Sequence, residues 1–232
     1  DLHSFPTRRS SDLQTMSRGI GKQKIQSPYS AAFTAASMMY REMNALIPLM
    51  QDEHAQELIN QEIEENSLLR INSLMSRKRV VSELQRRYNS VPKPFWDHYL
   101  SLSEKAQRVA LFYVILKTYQ LLFDTQICVT LNLWRSASAE LQTSDVMLYL
   151  NELAAQDSFV DSWSESTRKK VATTYILMLH QAGMMKDDSS ALCQPDLSDS
   201  DWIDYIRMGE AWFLEACFLP TYRVTELKQK AK

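Results

Sequence analysis

A chain of 232 residues with only four glycines has little means of turning β-hairpins. Tight hairpin turns hold residues at positive φ, where glycine is the low-cost choice, and globular chains carry roughly 7% glycine. The scarcity directs the chain towards helices. Apolar residues recur with a helical period from Tyr29 onward. The expected fold class is all-α: a compact multi-helix globule with two helix-turn-helix-like elements.

Residues 1–13, DLHSFPTRRSSDL, resemble translated sequencing-adapter sequence and are set aside as non-native, so Arg8 and Arg9 contribute to no binding surface. Gln14 to Gln26 is expected as a loose tail. Pro28 suits the first turn of a helix through Ala31, Ala35, Met38, Met39 and Met43, ending before Pro48. Asp52 is expected to cap a second, acidic helix through Glu65. After a connection at 66–76, Ser76 is the expected cap of a basic helix ending near Asn89, ahead of the Val-Pro-Lys-Pro break. Ser103 begins a long apolar helix from Glu104 to about Phe123, continuing to Trp134. Ser144 and Asp145 start a short helix to Ala155. Ser164 or Ser166 caps a helix through Gln181, with Gly183 placed for a left-handed C′ residue. An acidic linker (187–201) precedes a final helix holding Trp202, Ile206 and Trp212; Pro220 ends it, leaving a tail with Lys228, Lys230 and Lys232. These elements group as residues 1–28 (leader and tail), 29–95 (an N-terminal subdomain with the basic helix), 96–186 (a central core with a second, winged-helix-like element) and 187–232 (linker, C-terminal helix and basic tail).

Charge is sorted along this plan although the net charge is only −2. From Arg41 to Glu65 there are seven carboxylates and one cation; from Asn66 to Lys93, seven cations and one carboxylate; from Asp187 to Glu215, eight carboxylates and one arginine. Either the acidic second helix neutralises the basic third, or the two present different faces to partners. At 100° per residue, Val80, Val81, Leu84 and Tyr88 fall on one side of the basic helix. Lys78, Arg79, Ser82, Gln85, Arg86 and Asn89 fall on the other. An apolar side for a core and a cationic side with hydroxyl and amide groups is what a helix laid on DNA needs; a solvated basic helix has the same pattern. Arg77, Lys78, Arg79, Arg86 and Arg87 are the candidate phosphate contacts, with Ser82 and Gln85 nearer the bases. Five such contacts imply a log–log salt slope of about −4.5. Lys169, Lys170 and Thr173, opposite the Val171–Tyr175–Met178 stripe, extend the candidate track, a pattern that an exposed bundle helix shares.

Other chemistries find no home. His3, His54, His98 and His180 stand at no metal-ligand spacing, and there is no phosphate loop, nucleophile elbow or glycine-rich dinucleotide turn. The expectation is a protein without enzymatic activity, cofactor or metal. Cys128, Cys193 and Cys217 fit a reduced, cytoplasmic setting. The longest apolar run, Val109 to Leu116, is far short of the ~20 residues a membrane span needs and is expected as a buried core helix. Trp96, Tyr99, Trp134, Trp163, Trp202 and Trp212 are expected as core anchors rather than base-stacking platforms.

Tyr29-Ser30-Ala31-Ala32, Glu64-Glu65-Asn66-Ser67-Leu68-Leu69, the basic stretch 76–88 and Lys169 through Met185 with its Gln-Ala-Gly-Met-Met ending resemble, in order and spacing, the BrxA family of bacteriophage-exclusion (BREX) defence systems. The resemblance runs from about Tyr29 to Met185. It implies an all-helical protein that binds double-stranded DNA and works with a methyltransferase, a phosphatase-like protein and an ATPase. The alternative is a protein–protein adaptor in the same complex, its basic helix meeting an acidic partner and its 187–215 region another.

Overall fold

The computed structural model describes residues 27–137 and 139–232, so the leader and the expected loose tail, Gln14 to Gln26, lie outside the described residues. The architecture is all-α. A short 3₁₀ turn, η1 (Ala32–Ala35), leads into α1 (Tyr40–Gln51), α2 (Ala55–Glu65), α3 (Leu74–Tyr88) and α4 (Lys93–Tyr99). Next come α5 (Glu104–Thr118), α6 (Gln120–Thr125), a π turn (Gln126–Thr130) and α7 (Leu131–Trp134), then α8 (Thr143–Ala154), α9 (Ser158–Asp161) and α10 (Glu165–Gln181). The chain closes with α11 (Asp199–Arg207), α12 (Trp212–Ala216) and α13 (Thr221–Lys230).

α5 is the axis of the core. Every residue from Val109 to Leu116 is buried, as the apolar run predicts, and no helix among the described residues is long and apolar enough to cross a membrane. The apolar cluster is continuous from Phe33 to Leu227. Trp96, Tyr99 and Trp202 are fully enclosed, and Trp134, Trp163 and Trp212 pack half-buried against the cluster, all as anchors. Ser103 and Ser164 cap α5 and α10 as expected, each accepting an N–H from three residues on. Gly183 stands at φ +69 just past α10, where Met184 N–H reaches back to the Leu179 carbonyl.

Several boundaries differ from the periodicity. The expected first helix is broken. Ala36 is extended and Met39 is left-handed at φ 54, because the carbonyls of Ala36, Ser37 and Met38 accept from the Arg87 guanidinium instead of a following turn. α1 then runs through Pro48, which is exposed and has no N–H to give the Asn44 carbonyl. α3 starts one turn early, capped by Ser73 rather than Ser76. α5 stops at Thr118 because Tyr119 turns extended and sends its hydroxyl to Glu83. Gly209, at φ +80, divides the expected final helix into α11 and α12. Pro220 opens α13 instead of leaving a tail: Val224 and Leu227 are buried, and Arg223 and Lys230 both pair with Asp199 and Glu226.

Candidate nucleic-acid interface

The connection between α2 and α3 is eight residues, 66–73, and side chains fix it at both ends. Asn66, left-handed at φ 56, caps α2, and its Oδ1 accepts the Ile71 N–H at 2.8 Å. Glu62 lies one turn earlier and is buried. Its carboxylate accepts the N–H groups of Leu68 and Leu69 at 3.0 and 2.9 Å and the Ser67 hydroxyl at 2.6 Å. Burial pushes the Glu62 pKa up, but these donors more than offset it and hold it below the ordinary glutamate value. The turn is long for a helix-turn-helix, and the Glu62 and Asn66 side chains tie it down.

Two of the five arginines and lysines expected to face DNA do not. Arg77 is buried. Its Nε donates to the Ile63 carbonyl at 2.6 Å and its Nη1 to the Ile71 and Asn72 carbonyls at 2.7 and 3.3 Å. These oxygens belong to the last turn of α2 and the loop beyond it, where helix geometry leaves carbonyls unpaired and the dipole favours a cation. Arg87 is 1% exposed. Its Nε meets Glu83 at 2.7 Å, Nη1 the carbonyls of Ser37 and Met38, and Nη2 that of Ala36. Glu83 in turn accepts from the Tyr119 hydroxyl, which burial keeps protonated well above its usual range. Both guanidinium groups hold segments of the fold together, and the expectation that they touch phosphate is corrected.

The remaining candidates are on the outside. Lys78, Arg79, Ser82 and Arg86 are exposed and Gln85 is half-buried. Lys78 and Arg79 enter no ion pair among the described residues, and Arg86 has only a loose approach to Glu83 at 4.0 Å. The acidic helix does not neutralise them: no ion pair joins α2 to α3 among the described residues, and Glu53, Glu57, Glu64 and Glu65 are themselves exposed. Arg70, which the periodicity did not single out, is exposed in the connection at φ 55. The 187–215 region behaves differently. Asp196, Asp199, Asp204 and Glu210 are paired with Lys105, Arg223, Arg207 and Lys117, so much of that acidity is neutralised within the fold.

Between η1 and α3 runs a groove of about 420 Å³, with Ala32 and Ala35 on one wall and Ser76, Arg79, Ser82 and Arg86 on the other. Arg87 builds this groove without lining it, because its fork holds residues 36–38 against α3.

The second element is built from α8, α9 and α10. Lys169 and Lys170 are exposed near the start of α10 and unpaired among the described residues. The Thr173 hydroxyl donates to the Lys169 carbonyl at 3.0 Å, which leaves it only acceptor capacity towards a phosphate. Past Gly183 the chain forms a narrow return: Met185 bridges Leu192 antiparallel, and Ala191 bridges Glu140. The tip carries exposed Asp187 and Asp188. A buried chain of hydrogen bonds links α10 to the π turn and α12: the Tyr175 hydroxyl meets Thr130 and Gln126, and Gln126 donates to the Ala216 carbonyl. Among the described residues no group of three or more His, Cys, Asp or Glu side chains could hold a metal ion.

Comparison with known proteins gives a family and a fold. The family model described as BrxA matches residues 27–208. A crystal structure of an uncharacterized protein from Magnetospirillum magneticum superposes with a TM-score of 0.70 at 21% identity, covering 82% of this chain and 98% of that one. No curated protein matches the chain.

Proposed function

The chain belongs to the BrxA family, a component of bacteriophage-exclusion defence, and on that premise we propose that it is a non-enzymatic subunit that binds duplex DNA. The observation carrying this reading is the outer face of α3, where Lys78, Arg79 and Arg86 are exposed although an acidic helix packs next door. Exposed cations on a helix are held ready for polyanions, whose condensed counterions are released as the phosphates are neutralised. The order of α8, α9, α10 and the antiparallel return is that of a winged helix, which adds Lys169 and Lys170 as a second contact. Asp187 and Asp188 at the tip would repel phosphate, so this element meets DNA through its helix alone. The methyltransferase, phosphatase-like protein and ATPase of the same systems are the proposed protein partners. An adaptor role has its own support in the exposed Glu53, Glu57, Glu64 and Glu65 of α2 and its N-terminal turn.

Fluorescence anisotropy with a short labelled duplex tests the reading. The parent should bind, and Arg79→Ala/Arg86→Ala should bind on the order of tenfold or more weakly at low salt, with an unchanged melting temperature. Equal affinity of parent and double variant would overturn it. A parent that binds no duplex but is retained by the methyltransferase or ATPase subunit would establish the adaptor role instead.

A further inference from the structure

We infer that the groove between η1 and α3 grips the phosphate backbone of duplex DNA and reads no bases, an inference that rests on the DNA-binding reading above and narrows it. Width is the first constraint on the occupant. The major groove is about 12 Å wide and a helix with its side chains about 10–12 Å, so a bare helix fills it. α3 is not bare: η1 stands alongside, tied to it by the three carbonyls that the Arg87 fork holds. Helix and wall together are too broad to sink to the base edges. What fits between them is a ridge, and the ridge of a duplex is its sugar–phosphate strand.

The lining agrees with a backbone occupant. Arg79 and Arg86 are seven residues apart, about 10 Å along the helix, and meet separate phosphates. Ser82 offers a hydroxyl donor between them and Ser76 one a turn before Arg79, and Ala32 and Ala35 on the far wall leave room for the strand. No aromatic side chain lines the groove, so it offers no stacking platform for an unpaired base. No asparagine or glutamine lines it either, so the usual adenine-reading amide is missing, and Gln85 lies outside it. Glu83 on the floor does not oppose an anion, since its carboxylate is taken up by Arg87 and the Tyr119 hydroxyl. Ser82 therefore contacts phosphate, and not the base edges expected from its helical position.

Ala35→Glu tests this in the full chain, because Ala35 is exposed and lies on the wall opposite the arginines. Anisotropy is measured with A·T-only, G·C-only and mixed duplexes and with a single strand. Ala35→Glu should weaken binding on the order of tenfold, by the same factor for every duplex, with an unchanged melting temperature. Ala35→Trp, which fills the groove without adding charge, should do the same. Parent-like binding by both variants overturns the groove while leaving α3 as a DNA contact. So does a parent preference for one duplex composition above roughly tenfold, or tighter binding of the single strand. A parent that binds no nucleic acid overturns this inference together with the reading beneath it.

Discussion

Replacing Arg87 with alanine separates a fold-holding arginine from a DNA-contacting one. The side chain is 1% exposed and makes four hydrogen bonds, one to the Glu83 carboxylate at 2.7 Å and three to the carbonyls of residues 36–38. Removing one partner of a buried ion pair costs about 3–5 kcal/mol, because the other charge stays buried without compensation. The carbonyls of Ala36, Ser37 and Met38 lose their donors as well, which lifts the loss above the lower end of that range. A loss of about 4 kcal/mol, at roughly 2–4 °C per kcal/mol for a chain of this size, lowers the melting temperature by about 8–16 °C. Thermal denaturation followed by circular dichroism measures this directly. Arg87→Ala/Glu83→Gln should recover part of the loss, since the stranded charge is then absent. An Arg87→Ala variant melting within about 2 °C of the parent would refute the argument, and more so if its DNA affinity had fallen as far as that of Arg79→Ala.

Glu62→Ala should cost about 1–3 kcal/mol in urea denaturation, since the N–H groups of Leu68 and Leu69 lose their acceptor. The pH dependence follows the same residue. A carboxyl whose folded pKa lies below its ordinary value of 4.5 contributes fully above that value, and the contribution disappears as pH falls through the lower folded pKa. Stability of the parent should therefore decline on acidification below about pH 4.5 more steeply than that of Glu62→Gln; parallel curves would contradict it. Lys169→Ala/Lys170→Ala should reduce the log–log salt slope of DNA binding by up to about 1.8, and an unchanged slope would confine the contact to α3.

How far the sequence exposes this structure depends on which signal carries each element. Serine caps at Ser103 and Ser164, the left-handed Gly183 and the apolar run of α5 are local, and all are legible. The breaks at Ala36–Met39 and Tyr119 are not, because each is set by a partner many positions away, Arg87 for one and Glu83 for the other. α13 was readable in the spacing of Val224 and Leu227 but is masked by a run of lysines that looks like a tail. The basic helix is the most instructive case. Arg77 stands four positions before Val81 and Arg87 three after Leu84, which places both on the buried stripe. Side-chain charge argues for the surface and spacing for the interior. Spacing wins, because the unpaired carbonyls at the end of α2 and around residues 36–38 need donors that only a long cationic fork supplies.

The structure leaves three exposed cations on α3 where the sequence suggested five, and the salt dependence of DNA binding registers that difference. At about 0.9 per neutralised phosphate, Lys78, Arg79 and Arg86 contribute about −2.7 to the log–log slope. Affinity for one duplex is titrated against salt for the parent and for Lys78→Ala/Arg79→Ala/Arg86→Ala. The parent slope should be steeper than the variant's by about 2.7. Equal slopes for the two proteins would contradict it.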